Sequence, residues 1–298
     1  MEEKISTGFI TYDQFHGKHA GSSKIRAKNL IKYWKGSELF TSGREYDTVI
    51  YQKAYWKEHA RNFKGTKILD ICDPDWLGGD HVREMSDLVD GITCPTQEMA
   101  DFMKQFGKPV KVIKDRHDIE EFKENKIHRG NAKMVLWFGY AQNFHALSDA
   151  RVLQHLIRLG LKIKYISNTK VSLADDENEI NFHGQEKFVK YDNENPTKNN
   201  WEMIEADFAL LPRSIKVYDR FKSDNRKSTC WLLGLPVAEN LEEMERFLSE
   251  EARIKEGKEK REYAREEYDV KKSVKEMKEF IDEVRSSNKK ANQEINSI

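Results

Sequence analysis

Ala206-Asp207-Phe208-Ala209-Leu210-Leu211-Pro212, followed after a basic loop by Gly234-Leu235-Pro236-Val237-Ala238, reads as one strand–helix–strand step. Residues 207–211 have strand character and Pro212 ends them, because proline cannot donate to a sheet ladder. Residues 225–233 read as a helix, Gly234 punctuates it, and a second strand begins. Between the strands stand Arg213, Lys216, Arg220, Lys222, Ser223, Asn225, Arg226 and Lys227. Cations and small donors ahead of a helix start suit a diphosphate: the charges neutralise it and the free N–H groups point at it. An exposed basic loop is the plainer reading of the same residues.

The same alternation extends in both directions. Residues 134–138 form a buried-type strand ending at Gly139. Ser148 opens a helix with Val152, Leu153, Leu156 and Ile157 inside, and Gly160 stops it. Strands follow at 162–167 and 179–182, then a short helix at 201–205. Toward the N-terminus, strands are expected at 7–12, 47–52, 67–72, 89–93 and 110–114. Helices are expected at 22–34, capped by Ser22 or Ser23, at 53–63 and at 96–106. Ala27, Leu30, Ile31 and Trp34 share one face of the first helix. Such alternation predicts mainly parallel sheets covered by helices, an α/β fold. We divide the chain into a Rossmann-like domain at 1–118, a linker at 119–131, a second Rossmann-like domain at 132–248 and a charged helical extension at 249–298. In the extension Val274, Met277, Phe280, Ile281 and Val284 recover helical spacing and should pack on the body, with a frayed tail after Ser286.

Composition narrows the class. The 298 residues carry 51 basic and 51 acidic side chains, so no global field drives the chain to nucleic acid or anionic membrane. Apolar runs exclude disorder throughout, and nothing approaches ~20 consecutive apolar residues, which excludes a membrane span. No signal-type stretch follows Met1, and Cys72, Cys94 and Cys230 form neither a CxxC nor an even framework. An intracellular, cytoplasmic protein with buried thiols is expected. Charge is local: residues 1–67 hold 13 basic and 7 acidic side chains, residues 68–130 hold 9 and 14. A polar cleft or an acceptor face is one reading; a charged surface is the other.

In open α/β sheets, ligands bind beyond the carboxyl ends of the strands. After the first strand come His16, Gly17, Lys18, His19 and Gly21, which could receive an anion or a sugar or simply turn the chain. Lys24, Lys28 and Lys32 recur every four residues, with Arg26 among them, as a phosphate-tracking stripe or a solvated face. Asp73-Pro74-Asp75 follows a strand and could hold a divalent cation or cap a turn. Asp115-Arg116-His117-Asp118 stands at the entrance to the linker, where Arg116 and His117 suit a cleft or hinge role.

Four pieces together resemble GT-B glycosyltransferases, of the broad family 4 type and phage-like in their short length. They are Ser22-Ser23-Lys24-Ile25-Arg26 after the first loop, Leu69-Asp70-Ile71-Cys72-Asp73, the stretch from Cys94-Pro95-Thr96 to Asp118, and the stretch from Ala206 to Val237. The resemblance implies two Rossmann-like domains facing across a cleft, with a nucleoside-diphosphate sugar such as a UDP-sugar on the second. It assigns donor binding to Gly139, Tyr140, Arg213, Lys222, Ser223, Asn225 and Arg226. It puts Asp73 and His16 on the acceptor side as catalytic candidates, and it implies retention of anomeric configuration without a required metal or other cofactor. The family's paired glutamates are absent, with Phe221 and Thr229 near their places, and Ala141-Gln142 replaces the basic residue after the first donor-domain glycine.

For the acceptor, the basic first domain points to a hydroxymethylated base in duplex DNA, contacted by Lys18, Lys24, Arg26, Lys28 and Lys32. A saccharide, a lipid-linked sugar or a small metabolite is the alternative. Two other readings compete. One is a single-domain, metal-dependent GT-A transferase using Asp73 and Asp75. The other is a non-catalytic module that binds a nucleotide-sugar or nucleic acid.

Overall fold

The computed structural model describes residues 6–18, 20–149, 152–170, 186–192, 195–213 and 217–295. The chain divides into two compact units. The first comprises residues 1–117, 220–223 and 268–298, and the second residues 118–219 and 224–267.

The first unit is built on six parallel strands, β1 (Thr7–Thr11), β2 (Ser37–Leu39), β3 (Thr48–Gln52), β4 (Thr66–Asp70), β5 (Gly91–Cys94) and β6 (Val110–Val112). Their spatial order is β2-β1-β3-β4-β5-β6. Period-two alternation splits the side chains between two faces. Val49, Tyr51 and Leu69 enter one core with Met85, Val89 and Met99. Ile50 and Ile68 enter the other with Phe9, Leu30 and Trp34. The second core is closed from the far end of the chain: Val270, Val274, Met277, Phe280, Ile281 and Val284 line the helix Val270–Ile295 and are buried in it. That helix comes so near β5 that a Cβ at Gly91 would lie 2.8 Å from Phe280 Cζ.

The second unit carries five parallel strands, β7 (Met134–Phe138), β8 (Lys162–Ser167), β9 (Glu186–Lys190), β10 (Phe208–Leu210) and β11 (Val237–Ala238). Their order is β11-β10-β7-β8-β9. Val135, Leu136 and Trp137 are fully buried, as a central strand covered on both faces requires. Lys164 is buried in β8, where its Nζ donates to Glu202 Oε2 at 2.5 Å and Glu205 Oε2 at 2.7 Å.

Several expectations change. Two separate parallel sheets overturn the single-domain GT-A reading. Residues 119–131 are part of the second unit: Lys126 N donates to Leu233 O, His128 Nε2 bonds Gly234 O, and Phe122 is buried. The charged extension is shared, with the helix Glu250–Glu267 in the second unit and the helix Val270–Ile295 in the first. The second of these runs through the region expected to fray, where Lys, Ala, Gln and Glu all favour helix. Neither Ser22 nor Ser23 caps the first long helix, which follows Ala20; the Ser23 hydroxyl donates instead to Gln52 Oε1. Residues 53–56 are loop, and the helix after β3 is Lys57–Asn62. The expected strand at 179–182 lies outside the described residues, as do His19 and Lys216. All three cysteines are free and buried.

Candidate functional site

The carboxyl end of the first unit's sheet gathers two layers of polar side chains. The deeper layer is centred on Arg26. The sequence around it should continue an α-helix, but Lys24–Lys28 forms a π-helical turn in which Asn29 N donates back to Lys24 O. That wider turn aims Arg26 inward. Its Nε donates to both oxygens of Asp70, its Nη1 to Ile113 O and Asp115 Oδ1, and its Nη2 to Asp70 Oδ1. Burial opposes the charge, yet Asp70 and Asp115 hold the guanidinium well above its ordinary pKa. Thr93 Oγ1 and Ser223 Oγ complete the network on Asp70 and Asp115.

The outer layer is centred on Lys53, which has φ +49° and is the one non-glycine among the described residues with positive φ. This left-handed turn directly after β3 folds the side chain back over the strand ends. Its Nζ donates to Asp73 Oδ2 at 2.5 Å, lies 3.4 Å from Asp75 Oδ1 and stands 5.5 Å from the centre of the Tyr12 ring. Tyr55 donates to Asp75 Oδ2 at 2.6 Å. Burial opposes the lysine charge, but Cys72, Asp73 and Asp75 hold it above the usual lysine range. Burial raises the Asp75 carboxyl against the pull of Lys53 and Tyr55, and raises the Cys72 thiol well above its ordinary value. The Tyr12 ring also carries His16, with centroids 4.3 Å apart, so His16 and Asp73 belong to one continuous cluster. Among the described residues, no group of three or more His, Cys, Asp or Glu is placed to hold a metal ion.

The expected cationic stripe is broken up. Arg26 is buried in its ion pairs and has no surface to offer a ligand. Lys28 pairs with Asp13 at 2.8 Å, and Lys32 stands over the Tyr33 ring. Lys24 is half-buried and Lys18 is exposed. Burial works to raise the Asp13 carboxyl, but bonds from Lys28, Ser23 and Ala20 outweigh it and hold it below the usual range. The open hinge role expected of Arg116 and His117 is also replaced. Arg116 forks onto Glu276 at 2.6 and 2.8 Å and donates to Ser273, while the His117 backbone pairs with Tyr268 and Val270. Both side chains are buried, and the Arg116 side chain and the His117 backbone fasten the last helix to the segment after β6.

In the second unit, β7 ends at Gly139, which has φ +149°, a conformation side chains rarely adopt. A Cβ there would lie 3.3 Å from Arg226 Nη1. Arg226 reaches this point from the first turn of the helix Asn225–Leu232 and donates from Nη1 to Phe138 O at 3.2 Å. Burial lowers its pKa from the ordinary arginine value; Asp219 and Cys230 favour its charge and Arg213 opposes it. Arg213 pairs with Asp224 at 2.8 Å and lies 3.5 Å from Glu239, while Lys227 bridges the same two carboxylates. Tyr140 is exposed, and the turn after it is held by Ala141 N donating to Asn168 Oδ1.

The segment expected to bind diphosphate is divided. Asn225 and Arg226 belong to the second unit, Lys222 and Ser223 to the first. The Ser223 hydroxyl is committed to Asp115 Oδ2 at 2.6 Å. Phe221 is buried against Trp76 and Phe102, and Thr229 donates to Asn225 O within its own helix, so neither takes up a carboxylate's role. Sequence reading missed Lys53, Tyr55 and Tyr12. Lys53 and Tyr12 directly follow strands, which is the signal that could have found them.

No protein-family model matches the chain, and no curated protein matches it. Solved structures do. A structure of TarM superposes with a TM-score of 0.60 at 13% identity, over 86% of this chain and 57% of TarM. A mutant of S. aureus TarM in complex with fondaparinux, alpha-GlcNAc-glycerol and UDP gives 0.56 at 12% identity, with the same coverage. AviGT4, a glycosyltransferase involved in avilamycin A biosynthesis, gives 0.50 at 10% identity, over 94% of this chain and 97% of that one. The chain thus spans little more than half the length of the TarM structures. It shares the α/β fold of these GT-B neighbours, with two parallel sheets covered by helices. No helix among the described residues is long and apolar enough to cross a membrane.

Proposed function

We propose that the protein transfers a sugar from a nucleoside-diphosphate sugar to a hydroxyl acceptor. The observation that carries this reading is the Arg226 guanidinium seated on Gly139 at the carboxyl end of β7, in the first turn of a helix. The likeness to AviGT4 and to a UDP complex of TarM supports it. As the glycosidic bond breaks, negative charge grows on the departing diphosphate. A cation already fixed beside a helix N-terminus stabilises that charge more than it stabilises the ground state. Asn225 and Tyr140 flank Arg226 in this assignment, while Arg213 organises Asp224 and Glu239 at the start of the helix.

On the first unit, Asp73 is the proposed acceptor of the hydroxyl proton. Lys53 fixes its Oδ2, and Tyr55 and Asp75 brace Lys53 from the other side. His16 is the second candidate. Retention of configuration is the proposed outcome, and the diphosphate charge is met by side chains and backbone N–H groups without a metal.

The test is release of nucleoside diphosphate by the purified chain. A panel of UDP- and GDP-sugars is crossed with oligosaccharides, hydroxymethylated duplex DNA and ordinary DNA, with and without chelator. Chelator-resistant release with one donor supports the proposal. Binding of UDP without turnover on any acceptor moves the reading to a non-catalytic module. NMR of the product's anomeric signal decides retention.

A further inference from the structure

We infer that the rings around Trp56 form the acceptor platform of the first unit, and that its occupant is a neutral pyranose. This rests on the glycosyltransferase reading and adds the acceptor's chemical class.

The helix Tyr12–His16 after β1, Phe40 after β2 and Trp56 after β3 all stand at the carboxyl end of the sheet. Trp56 lies on His59 with centroids 4.8 Å apart at 31°, and Phe40 meets it edge-on at 6.2 Å and 84°. His59 is itself fixed, because its Nδ1 bonds the Tyr51 hydroxyl at 2.8 Å, and burial lowers its pKa. One side of the indole is therefore backed by protein, and its orientation is set before any ligand arrives. Phe15 stands 6.5 Å from Trp56 at 37°, too far and too tilted for the two rings to cover each other. Trp56 keeps 37% of its surface exposed and Phe15 keeps 38%. Phe15 contacts His16, and His16 lies on Tyr12, whose other neighbour is Lys53. From Phe15 the contacts run through His16 and Tyr12 to Lys53, and so to the carboxylates at Asp73 and Asp75.

An exposed aromatic surface continuous with fixed polar groups matches a sugar ring. The axial C–H bonds of one pyranose face carry partial positive charge and lie on the negative face of an indole, while the hydroxyls turn outward to polar partners. A nucleobase within DNA could also stack, but it arrives with phosphates that need open cations. In these loops Arg26 pairs with Asp70 and Asp115, Lys28 with Asp13 and Lys53 with Asp73. Lys18 and Arg61 remain exposed, but the cations at the strand ends are taken up within the protein, which favours an uncharged ligand.

The experiment uses the full chain and four probes: maltotetraose, chitotetraose, mannotetraose and a hydroxymethylated DNA duplex. Binding is read by saturation-transfer NMR from the aromatic protons and by tryptophan fluorescence, and UDP affinity is measured in parallel. The expected result is that one tetrasaccharide binds with transfer strongest to one face of a ring. Trp56→Ala and Phe15→Ser should each weaken it at least about tenfold, Trp56→Phe should recover part of the loss, and UDP affinity should be unchanged. Circular dichroism confirms that the variants fold, and Phe15→Ser tests a second loop if Trp56→Ala does not. The platform is overturned if no tetrasaccharide binds more tightly than about 10 mM, or if binding ignores both positions. Trp56-dependent binding of the duplex alone overturns the pyranose assignment. Loss of UDP binding in the unmodified chain is a different failure, that of the glycosyltransferase reading itself.

Discussion

The Arg26 guanidinium and the Asp70 carboxylate meet in a fork at 2.5–3.0 Å, with side-chain exposures of 3% and 0%. The pair joins the first long helix to the end of β4, and Asp115 extends it to the end of β6. Removing one member leaves the others charged in a dry place. Arg26→Met is expected to destabilise the first unit by about 3–5 kcal/mol, whereas exchanging Arg26, Asp70 and Asp115 together for apolar residues should cost much less. Urea unfolding of the single and combined variants measures the difference.

Arg226→Ala should lower turnover by roughly 100-fold or more while leaving the fold intact, because the lost interaction is made mainly with developing charge. Arg226→Lys should recover only part, since an ammonium cannot hold Phe138 O and a diphosphate with the same planar fork. Steady-state kinetics with the donor found by the release assay decides it.

Lys53→Met leaves Asp73 and Asp75 side by side without their shared cation. The expected loss in kcat is about tenfold, the equivalent of ~1.4 kcal/mol in the barrier. The acid limb of the pH–rate profile should also move to higher pH, because burial already raises the Asp75 carboxyl and Lys53 is what opposes that rise. A purely structural lysine would lower stability without moving that limb.

His128 predicts an acid lability. Burial lowers its pKa from the ordinary 6.5; the bond to Gly234 O opposes this, and Arg253 and Lys126 add to it. The unfolded chain therefore binds a proton near 6.5 that the native chain refuses until lower pH. This contribution to stability is complete above 6.5 and is lost as pH falls from there toward the native value. His128→Gln, which keeps a donor for Gly234 O, should flatten the fall in Tm between about pH 6.5 and pH 5.

The layout of the fold was legible because parallel strands announce themselves. Met134 to Phe138 and Thr48 to Gln52 are short runs buried on both sides, and the stripe from Val274 to Val284 has helical spacing. Ser37–Leu39 was not legible, because three half-buried residues on an edge strand carry no pattern. The placement of Asp73, His16 and Arg226 at strand or helix ends was legible. Their pairing was not. Arg26 stands one turn before Leu30 beside the apolar face, but nothing in the order of residues says that its partners are Asp70 and Asp115, 44 and 89 residues away. Nor could Phe221 and Ser223 be assigned to the first unit, because their partners lie more than a hundred residues away at Thr96 and Asp115.

The helix Val270–Ile295 supplies nearly half of the first unit's second core, yet in the chain it comes after the whole of the second unit. The strands from Thr7 to Val112 must wait, with Phe9, Ile50 and Ile68 uncovered on one face, while the whole of the second unit is synthesised. The first unit therefore cannot close its core until translation has passed through the second.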